Sequence, residues 1–488
     1  MRINQAKIYL NFFRQLFLQK YRFNNYVNRD EPCYFFGCYS GAYNTIKNHK
    51  GFAVISWCGS DGIELTENPD FAAYLQNHPE IFHIAETKYI SDDLTKCGIP
   101  HFVYPLAPIN LDNISPKPIG KNVYVYSSHT NPEFYGASII ERIKKKLPHI
   151  KFITRYATAP DCATKDELMK IYEDSCIGLR LVRHDGMSCT VAEMGMMGRK
   201  MVWNADSPNA IPWETDEDII NAIKSEYARA GQTDEAMAHR MEEFLTIPEE
   251  IFDMEFYKRN HYACSVIINT YKDDINDLSK AIDSYLQQKY VDVELIISTV
   301  AGDPAITLAK SKGIKKIVVN KTPGIYSQLN EAIKHITTDF WCYASGNDKA
   351  LPEKCFREIN LLKNSKKKIC YSAFYCTDEN FNIGSTRKFH DYDWDKHLQG
   401  NFVSDCSMIS MDITRKYGPF KEKFGNVAFY DFWLRVFEGE GDVFLYNPAP
   451  TWLYKLSHKS QHIAVRADEA KMMQRRTDRE NMLKLHAL

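Results

Sequence analysis

A loop of His184, Asp185, Gly186, Met187 and Ser188 separates the apolar run IGLRLV (177–182) from KMVWN (200–204) and leads into a helical stretch carrying Glu193. Gly186 permits a tight turn. The backbone N–H groups near Ser188, Cys189 and Thr190 would then point toward an anion, and a helix N-terminus of this kind suits a diphosphate. Two acids flank the loop, Asp185 and Glu193; each alone reads as well as a turn residue or a surface-helix residue. Further on, Asp348 stands in GNDKALP (346–352) and Asp431 in YDFWLRVFEGEG (430–441). Locally, Asp348 reads as a turn acid before Pro352 and Asp431 as a helix-start acid favoured by the macrodipole.

The elements that must position these residues alternate between short apolar strands and helical patterns. CYFFGCY (33–39), FAVISW (52–57), IFHIA (81–85) and HFVYPL (101–106) are strand candidates, with helix-like PDFAAYLQNH (69–78) and ISDDLTKCG (90–98) between them. Such alternation implies a parallel sheet. NISPKPIGK (113–121) reads as a linker, with two prolines and a glycine. A second α/β series runs from NVYVYSS (122–128) through IKFITRY (150–156), TKDELMKIYED (164–174) and IGLRLV to KMVWN. Two Rossmann-like halves are expected, closed by the acidic helices of 215–260. A third series opens at Ala263 with SVIINTY (265–271), followed by LSKAIDSYLQQ (278–288), VELIIS (293–298), KKIVVN (315–320), YSQLNEAIKHI (326–336) and FWCYAS (340–345). The expected domains are therefore 1–115, 116–260 and 261–488.

A chain of 488 residues exceeds one ordinary core, and two or three compact units are its default. A net charge of −1 argues against nucleic acid as the main partner. Thirteen cysteines, odd in number and without zinc-like spacing, read as reduced thiols. No run of about 18 apolar residues suggests a spanning helix, and polar residues interrupt the first apolar stretch too early for a secretory signal. Residues 7–29 mix Ile8, Leu10, Phe12, Phe13, Leu16, Phe17 and Leu18 with Lys7, Arg14, Lys20, Arg22 and Arg29. That composition fits a membrane-surface helix; a helix packed on the first domain fits it as well. A cytoplasmic location, peripheral at a membrane surface, is the expectation.

The strand, glycine loop, helix, Gly198 and second strand around 177–204 resemble the donor half of GT-B glycosyltransferases, whose motif is an acid, seven residues, then an acid. Asp185 and Glu193 occupy those places, Asp185 where the family usually has glutamate. The resemblance implies that Glu193 holds ribose hydroxyls, that Asp185 contacts the donor sugar, and that Gly186, Ser188 and Thr190 lie at the phosphates. That fold needs no metal, so Arg155, Arg180 or Arg183 would neutralise the leaving group. GSDG (59–62) is loosely like the family's glycine-rich acceptor loop.

The last 225 residues or so resemble glycosyltransferase family 2, a GT-A fold. Asn347 and Asp348 occupy the place of its paired-acid metal motif, so Asp348 is the implied ligand of a divalent cation, Mn2+ or Mg2+, that stabilises the departing diphosphate. Asp431 matches the family's catalytic base, which takes the acceptor hydroxyl's proton; Arg435 lies one turn onward. Thr270, Tyr271, Asp303, Asn330 and Asn347 are assigned to the donor. Tyr454, Lys455 and His458 resemble the closing segment, with His458 at the diphosphate or metal, although a lone histidine is more often an ordinary hydrogen-bonded residue. The end of the second strand, Ser298, Thr299, Val300 and Ala301, lacks the family's acidic nucleobase grip, for which Asp303 would compensate.

The fold expected is α/β, a GT-B-like pair of Rossmann-like subdomains followed by a GT-A domain. The function expected is a bifunctional glycosyltransferase adding sugars from nucleotide-sugar donors to a glycan or lipid-linked glycan, of a surface polysaccharide, lipopolysaccharide-like or viral kind. The alternatives are a single active GT-A transferase with an N-terminal acceptor-binding module, or a carbohydrate-binding scaffold of degenerate transferase domains.

Overall fold

Strands that are covered on both faces need continuous apolar runs, and the middle of the first sheet has them: Cys33–Phe36, Ala53–Trp57 and Ile81–Ala85 are buried at every residue. The computed structural model describes residues 1–107, 109–111, 113–156, 163–456, 477 and 479–484. The chain divides into two compact units. The first comprises Met1–Phe71, Glu80–Leu94 and His101–Phe256; the second comprises Ala72–Pro79, Thr95–Pro100 and the chain from Tyr257 onward.

The first unit holds two parallel sheets. One contains β1 (Gln5–Ile8), β2 (Asn24–Asn25), β3 (Cys33–Phe36), β4 (Ala53–Trp57), β5 (Ile81–Ala85) and β6 (Phe102–Val103) in the order β2-β1-β3-β4-β5-β6. The other contains β7 (Asn122–Ser127), β8 (Phe152–Tyr156), β9 (Ser175–Leu179), β10 (Lys200–Val202) and β11 (Ala210–Ile211) in the order β11-β10-β9-β7-β8. Of the two readings of residues 7–29, the structure has a short helix packed on the first unit. β1 lies inside the first sheet, and a 3-10 turn over Asn11–Phe13 leads into the α-helix Arg14–Lys20. Phe17 on that helix is fully buried, 4.3 Å from Phe36 and 4.8 Å from Tyr21 between ring centroids. Its basic neighbours serve the fold too: Lys20 donates to the carbonyls of Ala107 and Ile109, and Arg14 to Asn25.

In the second sheet the helix Cys189–Met196 lies close against β9 because Gly178 carries no side chain. A Cβ there would stand 2.2 Å from Met201 Sδ and 2.8 Å from Met194 Sδ. Arg199 is fully buried and donates to the carbonyls of Lys117, Pro118, Tyr172, Glu173 and Met197. It thereby caps the C-terminal ends of two helices and holds the 113–121 segment. Arg199→Met strands those buried carbonyls, and a stability loss of about 3 kcal/mol or more is expected in urea unfolding. A midpoint within error of the wild type would contradict this role.

The second unit is built on a seven-stranded mixed sheet. Its strands are β12 (Tyr262–Asn269), β13 (Val291–Val300), β14 (Lys316–Asn320), β15 (Phe340–Ser345), β17 (Ile369–Ser372), β20 (Met408–Ser410) and β21 (Phe444–Asn447), in the order β14-β13-β12-β15-β20-β17-β21. β20 runs antiparallel to both β15 and β17. A second, four-stranded sheet of β16 (Lys349–Ala350), β18 (Phe374–Thr377), β19 (Ile383–Arg387) and β22 (Trp452–Lys455) has the order β16-β22-β18-β19. The aromatic-rich core around Trp341, Phe420, Phe429 and Trp433 packs under the helix Ala428–Glu440, and an aliphatic core fills the other side of the main sheet. Among the described residues, no helix is long and apolar enough to cross a membrane.

Candidate functional site

In the second unit the carboxyl ends of β12, β13 and β15 come together, the usual place for ligands in open α/β sheets. The loop after β12 carries Thr270, Tyr271 and Asp273. Thr270 is buried and Tyr271 is largely exposed. Lys272 adopts a left-handed backbone (φ 55°), and its N–H donates to Asp303 Oδ2 at 2.9 Å. Asp303 Oδ1 accepts from the N–H of Ala305, so Asp303 fastens the ends of β12 and β13 to each other. Burial raises Asp273 above the ordinary carboxylate range, and the nearby Asp303 and Asp277 act in the same direction. Gly346 in the turn after β15 lies against this acid: a Cβ there would stand 2.7 Å from Asp273 Oδ2 and push the carboxylate aside.

Asp348 follows in the same turn. Its Oδ1 accepts from the Lys455 N–H at 3.0 Å, where β16 pairs with β22. Burial pushes its carboxyl up to about 7, against a partial offset from that one N–H. Asn347 accepts from the Ser345 hydroxyl. Lys455 extends to Asp277 Oδ2 at 2.6 Å. Buried Cys406 feels the charges of both Asp348 and Asp405, which places Asp405 in the same acidic neighbourhood. Among the described residues no three His, Cys, Asp or Glu side chains converge on a common metal position. Asp348 is the carboxylate here that would hold a cation, and an oxygen ligand suits a hard ion of the Mg2+ kind.

Other assigned residues are engaged elsewhere in the fold. Asn330 makes a reciprocal pair of bonds with the Phe420 backbone, both at 2.9 Å, and so anchors the 417–421 loop. Asp431 is fully buried on the helix Ala428–Glu440; its Oδ2 accepts from Arg435 Nε at 2.8 Å and its Oδ1 from Lys421 Nζ at 3.1 Å. Arg435 also reaches the carbonyls of Tyr417 and Pro419. Asp431 thus holds loop and helix together, and a proton acceptor at this position requires Lys421 to release Oδ1. Tyr430 donates to the carbonyls of His397 and Leu398. His458 lies outside the described residues.

In the first unit the loop 184–188 is pressed against the first sheet. The Met187 N–H donates to Glu86 Oε2 at 3.1 Å, the Thr87 hydroxyl to the Asp185 carbonyl at 2.7 Å, and His184 Nε2 meets Asp93 Oδ2 at 2.6 Å. Gly186 is required here, since a Cβ would stand 2.3 Å from the Cys58 carbonyl oxygen. Asp185 is clasped by the Arg180 guanidinium, which also lies 4.3 Å over the Tyr126 ring. Glu193, buried on the helix Cys189–Met196, is ion-paired with Lys165. Burial raises Glu193 above its ordinary range while Lys165 lowers it. Ser188 begins that helix without a side-chain cap bond, and Thr190 accepts from the Tyr172 hydroxyl at 3.3 Å. Arg155, on β8, bonds its own neighbour's carbonyl at Thr154, and Arg183 is exposed. Asp185, Gly186, Ser188, Thr190 and Glu193 are therefore near one another, with both acids already neutralised by cations of the chain.

Sequence reasoning passed over three residues. Asp61 in GSDG accepts from the N–H groups of Cys38, Cys58, Gly59 and Gly62, so the loop binds its own carboxylate rather than presenting free donors. Glu86, directly after β5, is buried and held well above the ordinary carboxylate range by desolvation. Asp273 was legible only as an acid two residues past Tyr271 in TYKDD.

No family model matches the chain. An uncharacterized glycosyltransferase of Rickettsia prowazekii (strain Madrid E) is 28% identical over 194 residues, 37% of this chain and 61% of that protein. One of Rickettsia typhi is 28% identical over 192 residues, 36% of this chain and 60% of the relative. One of Rickettsia bellii is 28% identical over 188 residues, 36% of this chain and 27% of its own length. The chain thus spans about three fifths of the length of the first two curated relatives it matches. Among solved structures, S. aureus TarS 1-349 in complex with UDP aligns with a TM-score of 0.34 at 11% identity, covering 43% of this chain and 65% of that one. The same fragment with UDP-GlcNAc aligns with a TM-score of 0.34 at 12% identity, covering 41% and 60%.

Proposed function

We propose that the second unit is a glycosyltransferase that uses a nucleotide-sugar donor and a divalent cation. The observation that carries this reading is Asp348: a buried carboxyl with a single hydrogen bond among the described residues, in the turn at the carboxyl end of β15. An acid held at about 7 by burial alone lacks a positive partner, and a hard cation is the partner its chemistry suits. The names of the Rickettsia relatives support the same reaction class.

In this reading Asp348 would hold the cation, which when bound supplies charge to the departing diphosphate. Asp303 and the backbone after β12 shape the donor's place. The acceptor hydroxyl oxygen forms a bond to the anomeric carbon as the bond from that carbon to the phosphate oxygen breaks, and its proton passes to a carboxylate. Asp431 is our assignment for that carboxylate, with Lys421 as the group that must withdraw. The acceptor proposed is a glycan or lipid-linked glycan.

The first unit supports two roles. One is a second, metal-free donor site in which Glu193 exchanges Lys165 for ribose hydroxyls and Asp185 exchanges Arg180 for the sugar. The other, favoured by both ion pairs and by the clamp of residues 86–93 on the 184–188 loop, is a closed module that recognises the acceptor. Glu193→Ala separates them. A second donor site predicts roughly tenfold or greater weakening of nucleoside diphosphate binding measured in chelator, with metal-dependent transfer unchanged; unaltered binding leaves the module reading.

A further inference from the structure

At the other end of the main sheet of the second unit, a cleft of about 400 Å³ opens beside the starts of β15 and β17. Five of its lining residues are cationic: Lys363, Lys366, Lys367, Lys368 and Arg415. Only Asp339 and Asp412 oppose them in the lining, in a chain whose net charge is −1. Such a local excess is not a sample of the average surface.

Three of the five cations are already occupied. Lys367 pairs with Asp442 at 2.7 Å, Lys368 pairs with Asp412 at 3.0 Å, and Lys363 lies 5.3 Å over the Phe340 ring. Lys366 and Arg415 are exposed and have no acidic partner among the described residues. The competing explanation is that the lysines neutralise the C-terminal end of the helix Lys354–Lys363. A helix end carries about half a negative charge, which one lysine satisfies, and Lys363 already stands in its last turn. Lys366 and Arg415 remain. Their side chains come from different elements, the loop before β17 and the helix Met411–Tyr417, and they line the same cleft.

We propose that this cleft binds a phosphate group, carried either by a membrane lipid headgroup or by a free phosphorylated solute. Arg415 supplies a planar fork for two phosphate oxygens, and Lys366 supplies a point charge. It is a separate site from the acidic one. β15 runs from Phe340 at the cleft to Ser345 at the turn bearing Asp348, and five steps along a strand cover about 17 Å.

The test compares the full chain with Lys366→Glu/Arg415→Glu and with a control of equal charge change in the first unit, Lys145→Glu/Lys146→Glu, both exposed. Titration with inorganic phosphate and with pyrophosphate, and co-sedimentation with phosphatidylcholine vesicles with and without phosphatidic acid, are run in chelator so that no metal-dependent donor binding contributes. The wild type and the control are expected to bind at least one probe, and the cleft variant to bind it roughly tenfold or more weakly. Binding to phosphatidic acid vesicles alone identifies the lipid headgroup, and binding to the soluble anions identifies the free phosphate. Equal binding by the cleft variant and the wild type, or no binding of any probe by the wild type, overturns the proposal. Either outcome is independent of donor turnover at Asp348.

Discussion

Asp348→Asn is expected to lower metal-dependent sugar transfer by a factor of about a hundred or more, the loss of several kcal/mol of charge stabilisation at the departing diphosphate. The same substitution is expected to stabilise the fold at alkaline pH. The native carboxyl sits at about 7 against an ordinary value of 3.8, and burial is the cause. For an acid raised in the folded state, ionisation costs nothing below the unfolded value and costs progressively more as pH climbs through the window from about 4 to 7. Stability therefore falls across that window, by up to about 4 kcal/mol at 1.36 kcal/mol per pKa unit. Asparagine removes the cost. Melting curves of the apo proteins at pH 4.5 and pH 8 check this: the variant's advantage should appear at pH 8 and shrink at pH 4.5. An advantage equal at both values, or a variant less stable at pH 8, would contradict a carboxylate isolated by burial. Donor-bound wild type with Mn2+ should recover the difference, because cation binding favours the ionised form.

Asp431→Asn is expected to act on two observables at once. Asp431 is fully buried between Lys421 and Arg435, and removing one partner of a buried ion pair typically destabilises by about 3–5 kcal/mol. Lys421 is 37% exposed and recovers part of its hydration, so about 3 kcal/mol is the expected loss. Transfer measured at a temperature where the variant is folded tests the chemical assignment. A base predicts a kcat drop of about a hundredfold with donor affinity nearly unchanged. A purely structural residue predicts the stability loss with kcat preserved in the folded fraction. Lys421→Met removes the lysine's bond to Asp431 Oδ1 without touching the carboxylate, and it should move the acid limb of the pH–rate profile only if Asp431 takes the proton.

The parallel sheets were legible because their strands are continuous apolar runs. IFHIA coincides with β5, and NVYVYSS, KKIVVN and FWCYAS all fall on strands. β1 was not, since QAKI alternates too briefly and sits beside the basic, aromatic 14–29 stretch whose pattern fits a surface helix equally well. The small sheet β16-β22-β18-β19 escaped for a similar reason: its strands are two to five residues long, and β19 is exposed throughout. Helix Lys354–Lys363 shows the same limit for burial. Lys354 and Glu358 are spaced like a solvated surface pair, yet both are fully buried; Glu358 accepts from the hydroxyls of Ser372 and Thr451, and Lys354 donates to the Cys406 carbonyl.

At the sites, the resemblance pointed to Asp348, Asp185, Glu193 and Asp431 as individual acids, but the cations that pair with the last three lie 4 to 28 residues away, most of them in other elements. Arg180 reaches Asp185 across a turn, Lys421 reaches Asp431 from the preceding loop, and Lys165 reaches Glu193 from another helix. A local pattern carries no information on such pairings, because the fold alone brings the cations to the acids. Asp348 differs from the other three in having no cation partner among the described residues, and this places it at the centre of the functional account.

The most direct measurement is consumption of a panel of nucleotide sugars by the full chain, with Mn2+ or Mg2+ and with chelator, alongside Asp348→Asn. At least one donor should release its nucleoside diphosphate in the presence of metal, and release should cease in chelator and in the variant. Full turnover in chelator, equal turnover by the variant, or no consumption and no binding of any donor with metal present would contradict a cation-assisted glycosyltransferase centred on Asp348.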